Sequence, residues 1–340
     1  MLGLYQVSGA SVHEQMRQMI VEEVTVDSFK KLLLSFYDSQ KEMPFGNLAA
    51  MHFEMFGGPS ELVEKVAAIV QFIILAGDML DDLQDNDKPM APWSQIEKGE
   101  AINASVAMLQ IGFSQLMKLP LPEQDKSLAI EYTNTLLLES LGGQYVDLLN
   151  QFETEEECLK SIEQKSGCLV AAACLIGMLL AGGDEYDIVG RYGKYIGVAA
   201  QIKNDVSGLY KLNEGNDILH RKRTIPTLYI LNMNNEKGRF LQDYYHHRLN
   251  QAEFLAKEKE IQEIILSSGC LQYSKALVQI FVMRALEEVK QLAVQDLWKS
   301  RITEYIQESL GYLTVNDHTT ANTAISISEN TKQIGDFICK

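Results

Sequence analysis

The chain has 340 residues, 46% of them hydrophobic and 22% charged, which excludes a disordered polypeptide and supplies enough apolar side chains for a large core. Its 46 acidic against 30 basic residues give a formal net charge of −16, a surface that repels phosphate backbones and excludes a general nucleic-acid binder. The five cysteines, Cys158, Cys168, Cys174, Cys270 and Cys339, form no CxxC pair and read as reduced thiols that fill the core. The first fifteen residues show no basic segment followed by an apolar one, so no signal peptide is expected and a cytoplasmic location is.

Apolar residues recur every three or four positions along most of the chain, which predicts helices throughout. The first runs over Val24–Tyr37 and is broken by Pro44 and the Phe45-Gly46 pair. Gly57-Gly58-Pro59 makes a second break, with Ser60 placed as the N-cap of a helix from Glu61 to Leu83. After a loop around Asn86–Pro92 comes a helix from Gly99 to Met117, stopped by Pro120 and Pro122. Further helices are expected at 124–150, 155–181, 186–210, 224–233, 236–268 and 271–310. The uncharged stretch Ser166–Gly183 is too short and too rich in Gly and Ala for a membrane span, and reads as a helix buried on all sides. The expectation is one all-α domain of about ten helices over 1–312, followed by a polar, weakly ordered tail over 313–340, with no stable membrane insertion.

Two polar constellations interrupt this apolar pattern. Asp78, Asp81, Asp82 and Asp85 crowd the end of an apolar helix, where like charges and the helix macrodipole both oppose them. Hard divalent cations with oxygen ligands, Mg²⁺ above all, relieve such repulsion. A solvated acidic helix end is the plainer reading, but the apolar run Val70–Gly77 just before it points to the mouth of an interior cavity. The second constellation is Gln201-Ile-Lys203-Asn204-Asp205, after closely spaced small residues at Gly193, Gly197, Ala199 and Ala200. Between the two lie Gly143-Gln144 with Asp147, and Lys165-Ser166-Gly167. Downstream, Arg221-Lys222-Arg223 concentrates positive charge in an acidic protein, fit for a phosphate group or for a solvated loop. Tyr244-Tyr245-His246-His247 reads as a surface turn, and His52 as a satisfied core histidine.

The order DDxxD, GQxxD, KSG, QxxND, KxTxP on a helical chain resembles the trans-isoprenyl diphosphate synthases, the polyprenyl synthetase family, over about residues 30–295. Asp81, Asp82 and Asp85 match the first aspartate-rich motif, Ala101-Ile102-Asn103 the segment after the loop, and Lys222-x-Thr224-x-Pro226 the motif near the end. The resemblance implies a helical bundle around a central prenyl-binding cavity. It also implies two or three Mg²⁺ ions held by Asp81, Asp82, Asp85 and Asp205, with Asn204 offering a carbonyl oxygen. Lys165 and Lys222 would bind the diphosphate of an allylic prenyl donor, aided by Arg221 or Arg223. Gln144 and Gln201 would line the cavity, and Ala76 and Gly77 would leave room for a farnesyl or geranyl tail. A homodimer is expected on the same ground.

Three departures bear on the reaction. The second aspartate-rich motif is reduced to Asn204-Asp205-Val-Ser-Gly208. The basic segment that takes isopentenyl diphosphate in the family is replaced around 38–46 by a stretch with one lysine and no arginine, and the arginine pair after the first motif is missing from Asn86–Pro92. The expected acceptor therefore carries no diphosphate. Local features (His52–Gly58, Ala76–Asp87, Pro92-Trp93 and Lys165–Leu169) resemble the ComQ-type peptide-pheromone isoprenyltransferases, which implies a tryptophan of a peptide precursor as acceptor. The alternatives are a terpene cyclase on the same fold, a short-chain polyprenyl diphosphate synthase, and a non-catalytic subunit of a heteromeric synthase.

Overall fold

Helix follows helix because the segments between prolines, glycines and other breakers each bury a 3.6-residue apolar face. The computed structural model describes residues 7–38, 43–85, 88–209 and 217–311. Every regular element among them is helical. In chain order these are α1 (Gly9–Glu23), α2 (Asp27–Asp38), α3 (Pro44–Met55), α4 (Val63–Asp85), α5 (Lys98–Met117) and α6 (Glu123–Leu149). Next, α7 (Glu155–Ile162), a π turn (Glu163–Gly167) and α8 (Cys168–Leu180) form one continuous rod, followed by α9 (Tyr186–Leu209). The remainder is α10 (Ile225–Leu231), α11 (Glu236–Tyr245), α12 (Gln251–Leu255), α13 (Glu258–Ser267), α14 (Cys270–Gln291) and α15 (Asp296–Leu310).

The centre is α8, packed between α3, α6 and α9. It has no charged residue, and all of its side chains but Leu169 are buried, so it needs neighbours on every side. The rod Glu155–Leu180 is long and apolar enough to cross a membrane, but its apolar surface is already covered inside the fold. Burying each leucine of α8 contributes roughly 2 kcal/mol. Close helix approach depends on small residues. A Cβ at Gly177 would stand 2.1 Å from the Ala49 carbonyl oxygen, and one at Gly46 2.8 Å from that of Ala67. Gly177→Val would push α3 away from α8 and disrupt the core.

Several expected boundaries shift, each for a local reason. Pro44 opens α3 instead of ending a helix, and Gly46 lies inside it as a contact point with α4. Ser60 does not cap α4; Pro59 leads into a 3₁₀ turn, Ser60–Leu62, that feeds it. The expected helix 236–268 is three pieces. His247 adopts left-handed backbone, and the side chains of Asn250 and Glu253 cap α12 reciprocally. The expected helix 271–310 is two, because the chain extends at Leu292 and the Ala293 amide donates to Glu185 at 2.7 Å. Helix α1 was not anticipated; Ser8 caps it by accepting from the Ser11 amide. The proposed tail 313–340, together with Lys41, Asn86 and Asp87, lies outside the described residues.

His52 is fully buried. Its Nδ1 is 2.7 Å from the Leu48 carbonyl, an acceptor only, so Nδ1 carries the proton and Nε2 accepts from the hydroxyl of Tyr192. It is a core histidine, as expected.

Candidate active site

The C-terminal half of α4, with α6, the π turn, α9 and the turn before α10, surrounds a cavity of about 990 Å³. Leu80, Leu137, Leu141, Ile162 and Leu169 contribute apolar lining, which they share with charged groups. On α4 the cavity face carries Gly77, Asp81 and Asp85, the i, i+4, i+8 spacing of a single helix stripe, with Asp78 at its side. Asp82 lies 100° further round and does not line the cavity. Its carboxylate accepts from the indole N–H of Trp93 at 3.0 Å and pairs with Lys88 at 3.2 Å. Burial still pushes its carboxyl up to about 6 against those two partners.

The π turn aims Lys165 into this site. An extra residue in the helical turn requires the neighbouring helices to make way. A Cβ at Gly143 would stand 2.4 Å from the Lys165 amide nitrogen, and one at Gly197 2.5 Å from the Ser166 carbonyl oxygen. The hydroxyl of Ser140 donates to the Lys165 carbonyl at 2.8 Å. So held, Lys165 Nζ lies 3.0 Å from Asp81, 3.1 Å from Asp147 and 3.7 Å from Asp85. Burial alone would lower its pKa, but the charges of Asp81, Asp147 and Asp85 outweigh it and hold the ammonium well above its ordinary value. Lys222 reaches Asp85 at 3.3 Å.

On α9, Ser166 donates to Gln201 at 2.7 Å and Gln201 donates to Asp205 at 2.8 Å. Burial, then the negative charge of Asp217, pushes the Asp205 carboxyl up to about 8. Asn204 lines the cavity beside it. Gln144 is buried and neither of its amide atoms has a hydrogen-bond partner.

The basic turn is anchored more than sequence suggested. Arg221 adopts left-handed backbone, stacks 4.0 Å from the ring centre of Tyr244 and donates to that residue's carbonyl at 2.8 Å. It is turned away from the cavity lining. Arg223 lines the cavity but donates to the Phe152 carbonyl at 2.6 Å. The tyrosines read as a surface turn are buried: Tyr244 donates to Leu219 at 2.7 Å and Tyr245 to the Lys222 carbonyl at 2.8 Å. Asn150, the left-handed end of α6, bridges the Arg221 carbonyl and the Arg223 amide, both at 2.7 Å. An asparagine at a helix end was the one available signal for this brace. Ala76 also departs from expectation. It is buried outside the cavity lining, and its carbonyl accepts from Ser105 of α5, whereas a Cβ on Gly77 would meet open space.

Among the described residues no three His, Cys, Asp or Glu side chains converge to hold a metal as they stand. The Lys165 ammonium occupies the space between Asp81, Asp85 and Asp147. The donors are nonetheless all oxygen and mostly anionic, which fits a hard divalent cation rather than a soft one, and the orphaned amide of Gln144 offers a further polar contact.

The family model for polyprenyl synthetases matches residues 46–264. The chain belongs to the polyprenyl synthetase family. It is an isoprenyltransferase. Among its relatives, the tryptophan prenyltransferase ComQ of Bacillus subtilis (strain 168) is 30% identical over 292 residues, 85% of this chain and 95% of that protein. A (2E,6E)-farnesyl diphosphate synthase of Mycobacterium bovis is 25% identical over 232 residues, 64% of either chain. Among solved structures, a geranylgeranyl pyrophosphate synthase superposes with a TM-score of 0.77 at 18% identity, over 90% of this chain and 98% of that one. A polyprenyl synthase from Caulobacter crescentus, complexed with calcium and isoprenyl diphosphate, gives 0.74 at 20% identity, over 87% and 92%. The fold is the all-α isoprenoid synthase fold.

Proposed function

We propose that this isoprenyltransferase ionises an allylic diphosphate of the geranyl or farnesyl class and transfers the prenyl group to a tryptophan of a peptide precursor. The observation that carries the reading is a cavity lined by lysines, carboxylates and leucines together, in which Lys165 and Lys222 stand ion-paired to Asp81, Asp85 and Asp147. The likeness to ComQ over 95% of that relative's length supports the acceptor. The lack of arginine from Asp38 to Gly46 and from Asn86 to Pro92 argues against a second diphosphate substrate.

Asp81, Asp85 and Asp205 would hold Mg²⁺, which when bound supplies positive charge to the leaving diphosphate. Lys165 and Lys222 would release their carboxylates and hydrogen-bond the phosphate oxygens. Charge in these lysines costs little at the moment of reaction because the π turn and the Tyr245 anchor already position them. The allylic C–O bond breaks, its electron pair leaves with the diphosphate, the indole ring attacks the carbocation, and the proton the indole then loses passes to the departing diphosphate. The leucines of the lining would take the prenyl tail and exclude the water that would otherwise capture the cation. A homodimer is supported by exposed Leu138, Tyr145 and Leu149 on one face of α6 and by exposed Ile102 and Val106 on α5. Light scattering of the purified protein tests it.

The deciding experiment is mass spectrometry of products from enzyme, Mg²⁺ and each of geranyl, farnesyl and geranylgeranyl diphosphate. Each is incubated alone, with isopentenyl diphosphate, and with a tryptophan-containing peptide encoded beside the gene. A prenylated peptide is expected. A hydrocarbon without acceptor, or a lengthened diphosphate, would replace this reading with a cyclase or a synthase.

A further inference from the structure

Helix α9 presents Asp205 to the cavity and, one turn further on, Gly208, which has no side chain to offer. The space beside that glycine is taken. A Cβ at Gly208 would stand 2.8 Å from Oδ2 of Asp217 and 3.3 Å from its Cγ. The carboxylate of Asp217 thus fills the volume that a side chain at position 208 would use, and both residues line the cavity with Asp205. Asp217 arrives from a separate turn beyond the end of α9, so no helical spacing reveals it.

A second, independent feature marks this cavity as a ligand site. Gln144 of α6 is 7% exposed and lines the same cavity, and both polar atoms of its amide lack a partner. A buried amide with neither group satisfied is costly unless something bound in the cavity completes it.

We propose that Asp217 supplies through space the carboxylate that α9 lacks at Gly208, and forms with Asp205 the second cation-binding arm of the site. The inference rests on the functional reading above, in which the cavity takes a cation-bound allylic diphosphate. The carboxylate's new origin has a consequence. The Lys222 amide donates to the Asp217 carbonyl at 2.8 Å, so the cation ligand and the phosphate-binding lysine belong to one turn. A cation held at Asp217 therefore steadies Lys222 on the diphosphate, which a carboxylate on α9 itself would not do.

The test is Mn²⁺ binding, followed by the electron paramagnetic resonance of the free ion, in the presence of farnesyl thiodiphosphate as an unreactive donor. Wild type is compared with Asp217→Asn, Asp217→Ala and the double variant Asp217→Ala/Gly208→Asp, in which removing the 217 carboxylate makes room for one on α9. Thermal unfolding without metal is recorded for all four. Both single variants are expected to bind at least one Mn²⁺ about tenfold more weakly, and the double variant to recover most of that loss. Asp217→Asn keeps the shape of the side chain and carries the test if Asp217→Ala does not fold. Wild-type affinity and stoichiometry in Asp217→Asn would overturn the proposal. So would a double variant that stays as weak as Asp217→Ala while unfolding at the same temperature, since the role of Asp217 would then be to hold the turn. A wild-type protein that binds no Mn²⁺ with the thiodiphosphate would instead remove the functional reading itself.

Discussion

Lys165 Nζ stands 3.0 Å from Oδ1 of Asp81, joining the π turn to the far end of α4 across the cavity. The pair is largely shielded from water, and Asp147 and Asp85 share the same ammonium. Removing the cation leaves three carboxylates facing one another. Lys165→Met is expected to lower the stability of the ligand-free protein by about 2 kcal/mol and kcat/KM by roughly 100-fold or more. Urea unfolding and steady-state assays measure the two effects. Undiminished turnover in Lys165→Met would remove this lysine from the diphosphate site.

Neighbouring residues on α4 separate pocket from core. Gly77 faces open cavity, whereas Ala76 is buried beside α5. Gly77→Phe should fill cavity volume and shift the preferred donor toward a shorter prenyl chain with little change in melting temperature. Ala76→Phe should overpack the helix contact and cost about 1–3 kcal/mol. Competition between geranyl and farnesyl diphosphate, read by mass spectrometry, decides the first point; an unchanged product ratio in Gly77→Phe would count against a tail lying along this face.

The turn bearing Lys222 is braced from two sides. Tyr245→Phe deletes the hydroxyl that donates to the Lys222 carbonyl, at a cost of about 1 kcal/mol. Asn150→Ala abandons both the Arg221 carbonyl and the Arg223 amide, and should cost more, about 2–3 kcal/mol. Both variants are expected to raise the KM for the donor more than they lower kcat. Calorimetry and donor titrations test the order; an Asn150→Ala protein as stable as Tyr245→Phe would contradict it.

Burial of His52 lowers its pKa to about 4, against an ordinary value of 6.5. The folded value lies below the unfolded one, so the unfolded chain takes up the proton first. The associated stability is complete above pH 6.5 and drains away as pH falls toward 4, by about 3 kcal/mol in all. Unfolding free energies of wild type and His52→Gln between pH 8 and 5 isolate this contribution. Wild type should lose more than the variant on acidification, and parallel curves would show that another group governs the response.

Much of the candidate site was legible because it is written in helical spacing. Asp81 and Asp85 lie one turn apart and share a face wherever α4 sits. Gln201 and Asp205 do the same on α9. Apolar periodicity, with prolines and glycines as punctuation, was enough for an all-α chain and for most helix limits between 61 and 231. The breaks inside 236–268 and 271–310 were less legible, since they turn on single backbone conformations at His247 and Leu292.

Contacts between residues far apart in sequence were another matter. Asp82 looks equivalent to Asp81 along the chain, and only the fold of the following loop gives its carboxylate to Trp93 and Lys88. Tyr244 and Tyr245 are read locally as surface, yet bury themselves because the basic turn needs partners for its carbonyls. Gly143 and Gly197 mean little until the π turn passes within van der Waals distance of both. Asp217 meets Gly208 from outside α9, at no helical spacing from it. Periodicity governs which face a side chain takes on its own helix, because that depends on neighbours within a turn or two. What stands opposite that face depends on packing among distant segments, and no local rule contains it.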